Sequence, residues 1–262
     1  LTRPRPLTAM GRFKHEAVAV DPRTGIVYQT QDEGDSLIYR FIPDRRGKLH
    51  KGGRLQALAF AEEPGRDTRN WPQGRGLEQS PVERDRSYPV RWIDLDDVDS
   101  PDDTLRLRGL ADGAALFARG EGMWFGNGEV YWAATAGGPI GAGQIFRYRP
   151  SRFEAAADER GEPGTIELFY ESYDTEVFEH VDNIYVAPWG DLICCEDSDE
   201  NNSLLGMTPA GDIYRIANNP YTPSEFAGAC FSPDGKTLFV NLQDNHITLA
   251  IRGPWHHLRG QT

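Results

Sequence analysis

Carboxylate side chains recur at matching places in four similar segments of this 262-residue chain. One group lies at the start of the first apolar run of each segment: Glu16, Glu121, Asp182 with Asn183, and Glu225. A second group follows the second apolar run: Asp32, Asp35, Glu196, Asp197, Asn241 and Asp244. Calcium and similar hard cations prefer such oxygen ligands. Because clustered carboxylates repel one another unless they are neutralised, the acids form either a cation-binding cup or a set of charges that face solvent.

The segments that carry these acids share one pattern of short apolar runs and turns. They span residues 15–41, 120–138, 182–211 and 224–245. Each has an apolar run, a glycine-containing turn, a second apolar run and a polar stretch, and runs this short favour strands over helices. Four copies of one such unit are typical of a radially repeated β protein. The sequence therefore predicts an all-β fold, a β-propeller, in a single domain over residues 1–262.

Composition limits the classes of partner. The net charge of −12 argues against nucleic acid or an anionic membrane surface as the main partner. The chain contains no apolar stretch of about 18 residues that would predict a transmembrane helix, and no signal peptide is recognisable at its start. The three cysteines, Cys194, Cys195 and Cys230, are predicted to be buried small apolar residues rather than part of a disulfide framework.

The long polar stretch over residues 62–89 interrupts the repeats. Stretches of this kind inside a compact domain are usually surface insertions or active-site lids. It contains five arginines: Arg66, Arg69, Arg75, Arg84 and Arg86. We expect a positively charged lid that attracts anions. Together with the four repeats, the apolar runs 55–60 and 90–95 that flank it predict roughly five blades in this chain.

Several of these segments carry a resemblance to a known family. GRFKHEAVAVDPRTGIVY, FARGEG, DNIYVAPWGDLICCED, MTPAGDIY and SEFAGACFSPDGKTLFVN, followed by GPW, resemble the PhoX-type alkaline phosphatases over about residues 11–255. The resemblance implies a six-bladed β-propeller that is exported by the twin-arginine route to the periplasm or outside the cell. It also implies a phosphatase that acts on small-molecule phosphoesters at a central site containing iron and calcium.

The resemblance also implies roles for individual residues. The family's metal-binding carboxylates fall on Glu16, Glu121 and Asp197, which are therefore expected to meet in one cluster. Four further residues are implied as ligands or as neighbours of ligands: Asp182, Asn183, Glu196 and Glu225.

Two other side chains could contact a substrate. Arg119 is a candidate phosphate clamp because guanidinium binds phosphate through two parallel hydrogen bonds, and the alternative is a structural ion pair. His15 could hydrogen-bond a substrate oxygen, and the alternative for it is a role in packing.

This sequence also departs from the family pattern. It lacks the family's N-terminal strand followed by Cys-Glu-Glu, so we expect a preceding segment or a second chain to complete the ring. Gln31 stands where many relatives have an acid. Two other functions stay open: a calcium-dependent lactonase that uses Glu16, Asn183 and Asp197, and a non-catalytic propeller that binds a ligand.

Overall fold

Antiparallel strands dominate the structure, a computed structural model that describes residues 4–72, 74–76, 79–199 and 202–255. Fifteen of the strands form four meanders, which we call units 1 to 4. Unit 1 contains β1 (His15–Val20), β2 (Val27–Gln31), β3 (Ile38–Pro43) and β4 (Gly53–Phe60). Unit 2 contains β6 (Gly120–Gly126), β7 (Glu129–Ala134), β8 (Gln144–Arg149) and β9 (Thr165–Glu171). Unit 3 contains β10 (Val181–Val186), β11 (Leu192–Glu196), β12 (Ser203–Met207) and β13 (Ile213–Asn218), and unit 4 contains β14 (Phe226–Phe231), β15 (Thr237–Leu242) and β16 (Ile247–Arg252).

Strand β5 (Ser87–Asp94) joins the first two units. It pairs with β4 on one side, where Phe60 faces Val90, and with β9 on the other, where Tyr88 faces Ile166. Units 1 and 2 thereby become one nine-stranded sheet in the order β1-β2-β3-β4-β5-β9-β8-β7-β6. Units 3 and 4 are separate sheets of four and three strands.

The units pack face to face around their first strands. Strand β6 lies beside β1 and β10, and β10 also lies beside β14. One apolar cluster fills the space between units 1 and 2, and it includes Tyr28, Trp132 and Phe146. Separate clusters fill the spaces between units 2 and 3 and between units 3 and 4. The chain is thus an all-β propeller, because consecutive sheets stack through both faces and their first strands lie together at the centre.

The arrangement corrects the blade count expected from the sequence. The runs 55–60 and 90–95 do not build a fifth blade, since the first belongs to β4 at the outer edge of unit 1 and the second to β5, which bridges two units. The described residues form four units, and the six blades implied by the resemblance are not confirmed.

Two of the three cysteines match their prediction. Cys194 and Cys195 are buried on opposite faces of unit 3, one in the cluster shared with unit 2 and the other in the cluster shared with unit 4. Cys230 was expected to be buried, and that prediction was wrong, because it lies on an exposed position of β14.

Outside the strands, helix α1 (Leu105–Ala111) and three 3-10 turns (Thr8–Met10, Leu49–Lys51 and Ala157–Arg160) lie in the connections. Leu105 of α1 and Met10 pack on the outer face of unit 1. No helix among the described residues is long and apolar enough to cross a membrane.

A buried arginine ties the connection after β8 to unit 1. Arg40, on β3, is 1% exposed and donates hydrogen bonds to Glu154 (Nη1–Oε1, 2.5 Å) and Glu159 (Nη2–Oε2, 2.8 Å). Its Nε donates to Gln56 Oε1 at 2.8 Å, and its guanidinium lies 4.5 Å from the centre of the Trp92 ring. The Arg40 cation neutralises the Glu154 carboxylate, which is also buried.

Replacement of Arg40 should destabilise the folded protein. We expect Arg40→Met to lower the free energy of unfolding by about 3–5 kcal/mol, because it leaves a buried carboxylate without its cation. The matched control is Arg54→Met, which removes an exposed pair with Asp94 and should cost less than about 1 kcal/mol. Urea unfolding followed by tryptophan fluorescence measures both. Equal losses in the two variants would contradict the buried-pair interpretation.

Candidate metal centre

The first strand of each of units 1 to 3 contains a β-bulge close to its start. The strand register shifts between His15 and Val18, between Gly120 and Met123, and between Val181 and Asn183. Glu16, Glu121 and Asp182 are the second residues of their strands and lie within these bulges. A bulge bends its strand and re-aims its side chains, so the three acids point to the same end of the propeller.

A backbone hydrogen bond repeated in all four units defines which residues are equivalent. The residue after the second strand donates its N–H to the carbonyl of the residue before the first strand: Asp32 to Lys14 (3.1 Å), Thr135 to Arg119 (3.0 Å), Asp197 to His180 (3.0 Å) and Gln243 to Glu225 (3.2 Å). The position before the first strand therefore holds a basic residue in units 1 to 3. In unit 4 it holds Glu225, so Glu225 is the counterpart of Arg119 rather than of Glu121.

Two of these basic residues have an uncommon backbone conformation. Arg119 (φ 53°) and His180 (φ 43°) lie in the left-handed region. This region costs a non-glycine residue of order 1 kcal/mol and persists where the surroundings impose it, often at functional sites. The conformation brings both side chains to the strand ends that carry the acids.

Three carboxylates from units 3 and 4 form the tightest acidic group. One oxygen each from Asp182, Asp197 and Glu225 lie within 4.8 Å of one another. Burial, followed by the charge of Asp197, raises the pKa of Asp182 to about 6. Burial, followed by the charges of Asp197 and Asp182, raises the pKa of Glu225 to about 7, and burial also raises that of Asp197. None of the three forms an ion pair with another residue that the structure describes. We call them the acidic triad.

Asp32 and Glu121, two acids of units 1 and 2, have cations supplied by the protein. Arg119 donates from Nε to Asp32 Oδ1 and from Nη2 to Glu121 Oε1, both at 2.7 Å. Lys14 Nζ lies 2.9 Å from Asp32 Oδ2. Burial opposes the ionisation of Asp32, but the hydrogen bonds from Arg119 and Lys14 lower its pKa below the usual value. Burial and the charges of Asp182, Asp32 and Glu16 raise the pKa of Glu121 despite its ion pair.

Among the predicted ligands, the tight group joins Asp197 to Asp182 and Glu225. Glu16 and Glu121, which were expected to meet Asp197, lie outside this tight group, and their role as ligands stays a prediction. Glu16 is exposed, although its charge still raises the pKa of Glu121 and of Asp182. Asn183 follows Asp182 in the same bulge and is partly buried.

Two further candidates have other contacts. The Glu196 carboxylate is buried and accepts hydrogen bonds from the backbone N–H groups of Glu179 (2.9 Å) and Ser203 (3.0 Å). It thus holds two backbone segments and is not part of the triad. The His15 ring stacks on Phe13 at 3.7 Å and has its Nε2 3.0 Å from the Gly11 carbonyl, so the ring is held against the N-terminal segment.

Thr135 was not among the candidates predicted from the sequence. It follows β7 and is equivalent to Asp32 and Asp197, but a threonine does not stand out among acidic candidates. An alignment of the four repeats would have indicated Thr135, but such an alignment requires the exact residue at which each strand ends.

Most of the stretch over residues 62–89 is an irregular segment between β4 and β5. The described part of this segment lies at the same end of the propeller as the acids. Arg69 Nη1 donates to Gly34 O (3.0 Å), in the loop after β2. Trp71 Nε1 donates to Ala136 O (2.8 Å), in the loop after β7. The segment is packed rather than loose, since Thr68 and Val82 are buried.

A family model described as "Alkaline phosphatase PhoX" matches residues 1–245 of the chain. This chain belongs to the PhoX alkaline phosphatase family. No curated protein matches the sequence.

Several solved structures share a remote likeness with this PhoX family member. Virginiamycin B lyase from Staphylococcus aureus is 13% identical, with a TM-score of 0.39 over 94% of this chain and 71% of its own. A protein from Lactobacillus plantarum is 10% identical, with a TM-score of 0.40 over 90% of this chain and 54% of its own. Likeness at this level carries no argument about activity.

The pKa of Glu225 predicts how the cation-free protein responds to pH. Its folded-state pKa of about 7 lies above the unfolded value, so the folded protein holds an extra proton between these values. Stability is therefore present at low pH and is lost as pH rises through about 7. With chelator at about pH 8, we expect Glu225→Gln to raise the melting temperature by roughly 2–6 °C, which corresponds to about 1–2 kcal/mol after solvent screening.

The control is Asp32→Asn. The pKa of Asp32 is lowered, so its charge stabilises the fold above the unfolded pKa, and its loss should decrease the melting temperature at both about pH 5 and about pH 8. Scanning fluorimetry measures both variants. A lower melting temperature for Glu225→Gln at the higher pH would show that Glu225 already has a cationic partner in the protein.

Proposed function

We propose that this chain is a metal-dependent phosphatase that hydrolyses small-molecule phosphoesters at the acidic triad. The observation that carries the proposal is the group of three carboxylate oxygens within 4.8 Å, with raised pKa values and no ion pair among the described residues. A cation from outside the protein would relieve the repulsion within such a group. Membership of the PhoX family supports phosphate ester hydrolysis as the chemistry that this charge serves.

The triad fits a hard cation. Its donor atoms are all carboxylate oxygens, which calcium prefers and which ferric iron also accepts. A thiolate ligand does not fit, because burial raises the pKa of Cys194 and of Cys195, and both pack in the apolar clusters on either side of unit 3. We therefore propose Asp182, Asp197 and Glu225 as holders of calcium, or of iron bound through oxygen. A bound cation would neutralise phosphoryl charge and polarise the ester.

Arg119 is the residue we propose for binding the phosphoryl group. Its Nε and Nη2 are used by Asp32 and Glu121, which fix the plane of the guanidinium. Nη1 has no hydrogen-bond partner among the described residues, and the side chain is 44% exposed. A guanidinium fixed in this way can donate to a phosphate oxygen without losing side-chain freedom on binding. In this proposal Arg119 is both a phosphate-binding residue and a member of structural ion pairs, because the ion pairs fix the position of its guanidinium.

The segment over residues 62–89 supplies a second cation in this proposal. Two of its arginines are buried and paired with acids, and a third pairs with a neighbouring acid at the surface: Arg66 with Glu63, Arg69 with Asp67, and Arg86 with Glu83. Arg75 has no acidic partner in the described part of the chain and lies beside Gly141. The carbonyl of Gly141 is 3.1 Å from His180 Nε2, and His180 lies two residues before Asp182. Arg75 is thus placed on the His180 side of the triad, where it can attract an anionic substrate.

Family membership also supports export to the periplasm or outside the cell, the location that we propose for the protein. Calcium is abundant there, and an acidic site of this kind would be loaded by mass action.

Activity tests this function directly. We expect the calcium- and iron-supplemented protein to hydrolyse an aryl phosphate and not a lactone. Asp197→Asn should lower kcat/KM by at least about 100-fold, because it removes a negative ligand from the cation site. The matched control is Asp234→Asn, at an exposed turn after β14, which should change kcat/KM by less than about two-fold. Hydrolysis of the lactone but not of the phosphate would replace this proposal with the lactonase alternative.

The role of Arg75 has its own test. We expect Arg75→Ala to raise KM for an aryl phosphate by roughly 2–5-fold, the effect of about 0.5–1 kcal/mol from an exposed charge, with kcat little changed. Raising the salt concentration should reduce the difference, since exposed charges are screened. The matched control, Arg86→Ala, removes a cation that pairs with Glu83 and should leave KM unchanged. If the two variants behave alike, the segment acts as a surface loop and not as a charged lid.

A further inference from the structure

Thr135 has a buried hydroxyl without a partner. The residue is 1% exposed, and its Oγ1 forms no hydrogen bond with any residue that the structure describes. A buried polar group left unpaired costs about 1–3 kcal/mol. Such a group calls for an explanation, and a ligand that binds in the folded protein is one.

The hydroxyl lies at the acidic triad. It is close enough to the carboxyl group of Asp182 to oppose the rise in that pKa, without reaching hydrogen-bond geometry. The Thr135 N–H donates to the carbonyl of Arg119 at 3.0 Å, which fixes the backbone from which the side chain projects. The side chain is β-branched and therefore stiff, so it has little freedom to turn its oxygen elsewhere.

The repeat equivalence gives a second, independent observation. The position that Thr135 occupies in unit 2 is occupied by Asp197 in unit 3, and Asp197 is a member of the triad. In unit 1 the same position is occupied by Asp32, which turns an oxygen toward Arg119. The fold thus directs an oxygen from this position toward the central end of the strands in each of the first three units.

We propose that Thr135 Oγ1 is a fourth oxygen ligand of the cation held by Asp182, Asp197 and Glu225. The inference rests on the proposed cation site and concerns which residues complete it. A hydroxyl adds a donor atom without adding charge. The triad carries three negative charges when ionised, which already exceeds the charge of a divalent cation, so a fourth carboxylate would add repulsion without further neutralisation. A neutral oxygen at this position raises the coordination number toward the 6–8 that calcium takes.

The test compares Thr135→Val with Thr135→Ser. Valine has nearly the same shape but no oxygen, whereas serine keeps the hydroxyl. Isothermal titration calorimetry on the chelator-treated protein, with calcium as the only titrant, measures the affinity. We expect Thr135→Val to bind calcium at least about ten-fold more weakly than the wild type, and Thr135→Ser to stay within about three-fold.

A stability measurement separates ligation from folding. Without calcium, Thr135→Val should melt at or above the wild-type temperature, because it removes an unpaired buried hydroxyl. The control is Thr68→Val, whose hydroxyl donates to Leu116 O at 2.6 Å; it should melt lower and keep wild-type calcium affinity.

The outcomes distinguish this inference from the proposed function. If the wild type binds no calcium in calorimetry and calcium does not shift its melting temperature, the cation site itself is refuted and the inference with it. If the wild type binds calcium and Thr135→Val binds it equally well, the site stands and only the role of Thr135 is refuted.

Discussion

Carboxylates that are held close together repel one another unless they are neutralised, and this constraint organises the central end of the propeller. The protein meets the constraint in two ways. Between units 1 and 2, Arg119 and Lys14 surround Asp32, and Arg119 also reaches Glu121. Between units 3 and 4, the acidic triad has no ion pair among the described residues, and the pKa values of its members are raised. The central end of the propeller therefore holds both acids that are paired with cations of the protein and acids that have no such pair among the described residues.

The difference between the halves arises from single substitutions at equivalent positions. The residue before the first strand is Lys14, Arg119 or His180 in the first three units and Glu225 in the fourth. A cation of the protein is thus exchanged for an acid at the place where unit 4 meets unit 3. The same backbone hydrogen bond is formed at each of the four positions, so the side-chain chemistry changes while the pairing of the strands is kept.

Much of this architecture could be predicted from the sequence, because strands and turns follow from local patterns. The alternation in residues 15–41 and the turns with glycine correspond to real hairpins. The family was also recognisable from its motifs. Strand β5 could not be assigned correctly, since its pairing with both β4 and β9 joins segments that are far apart in the chain. The blade count failed for that reason.

The acidic character of the candidate site could be predicted, but its members could not. Three of the acids expected near strand ends lie together in the structure. Which oxygens meet depends on bulges, and a bulge shifts a side chain without leaving a pattern in the sequence. Adjacent residues Glu196 and Asp197 illustrate the limit. The Glu196 carboxylate accepts hydrogen bonds from the backbone N–H groups of Glu179 and Ser203, whereas Asp197 is a member of the triad.

The strand β5 that bridges units 1 and 2 has a mechanical consequence. Its hydrogen bonds to β4 and β9 make the first half of the propeller a single continuous sheet, whereas units 3 and 4 are separate sheets in the described structure. Two residues of the triad belong to unit 3 and the third, Glu225, directly precedes unit 4. A cation bound at the triad would therefore link two sheets that share no strand pairing in the described structure. Binding of the cation would then also restrict motion between units 3 and 4.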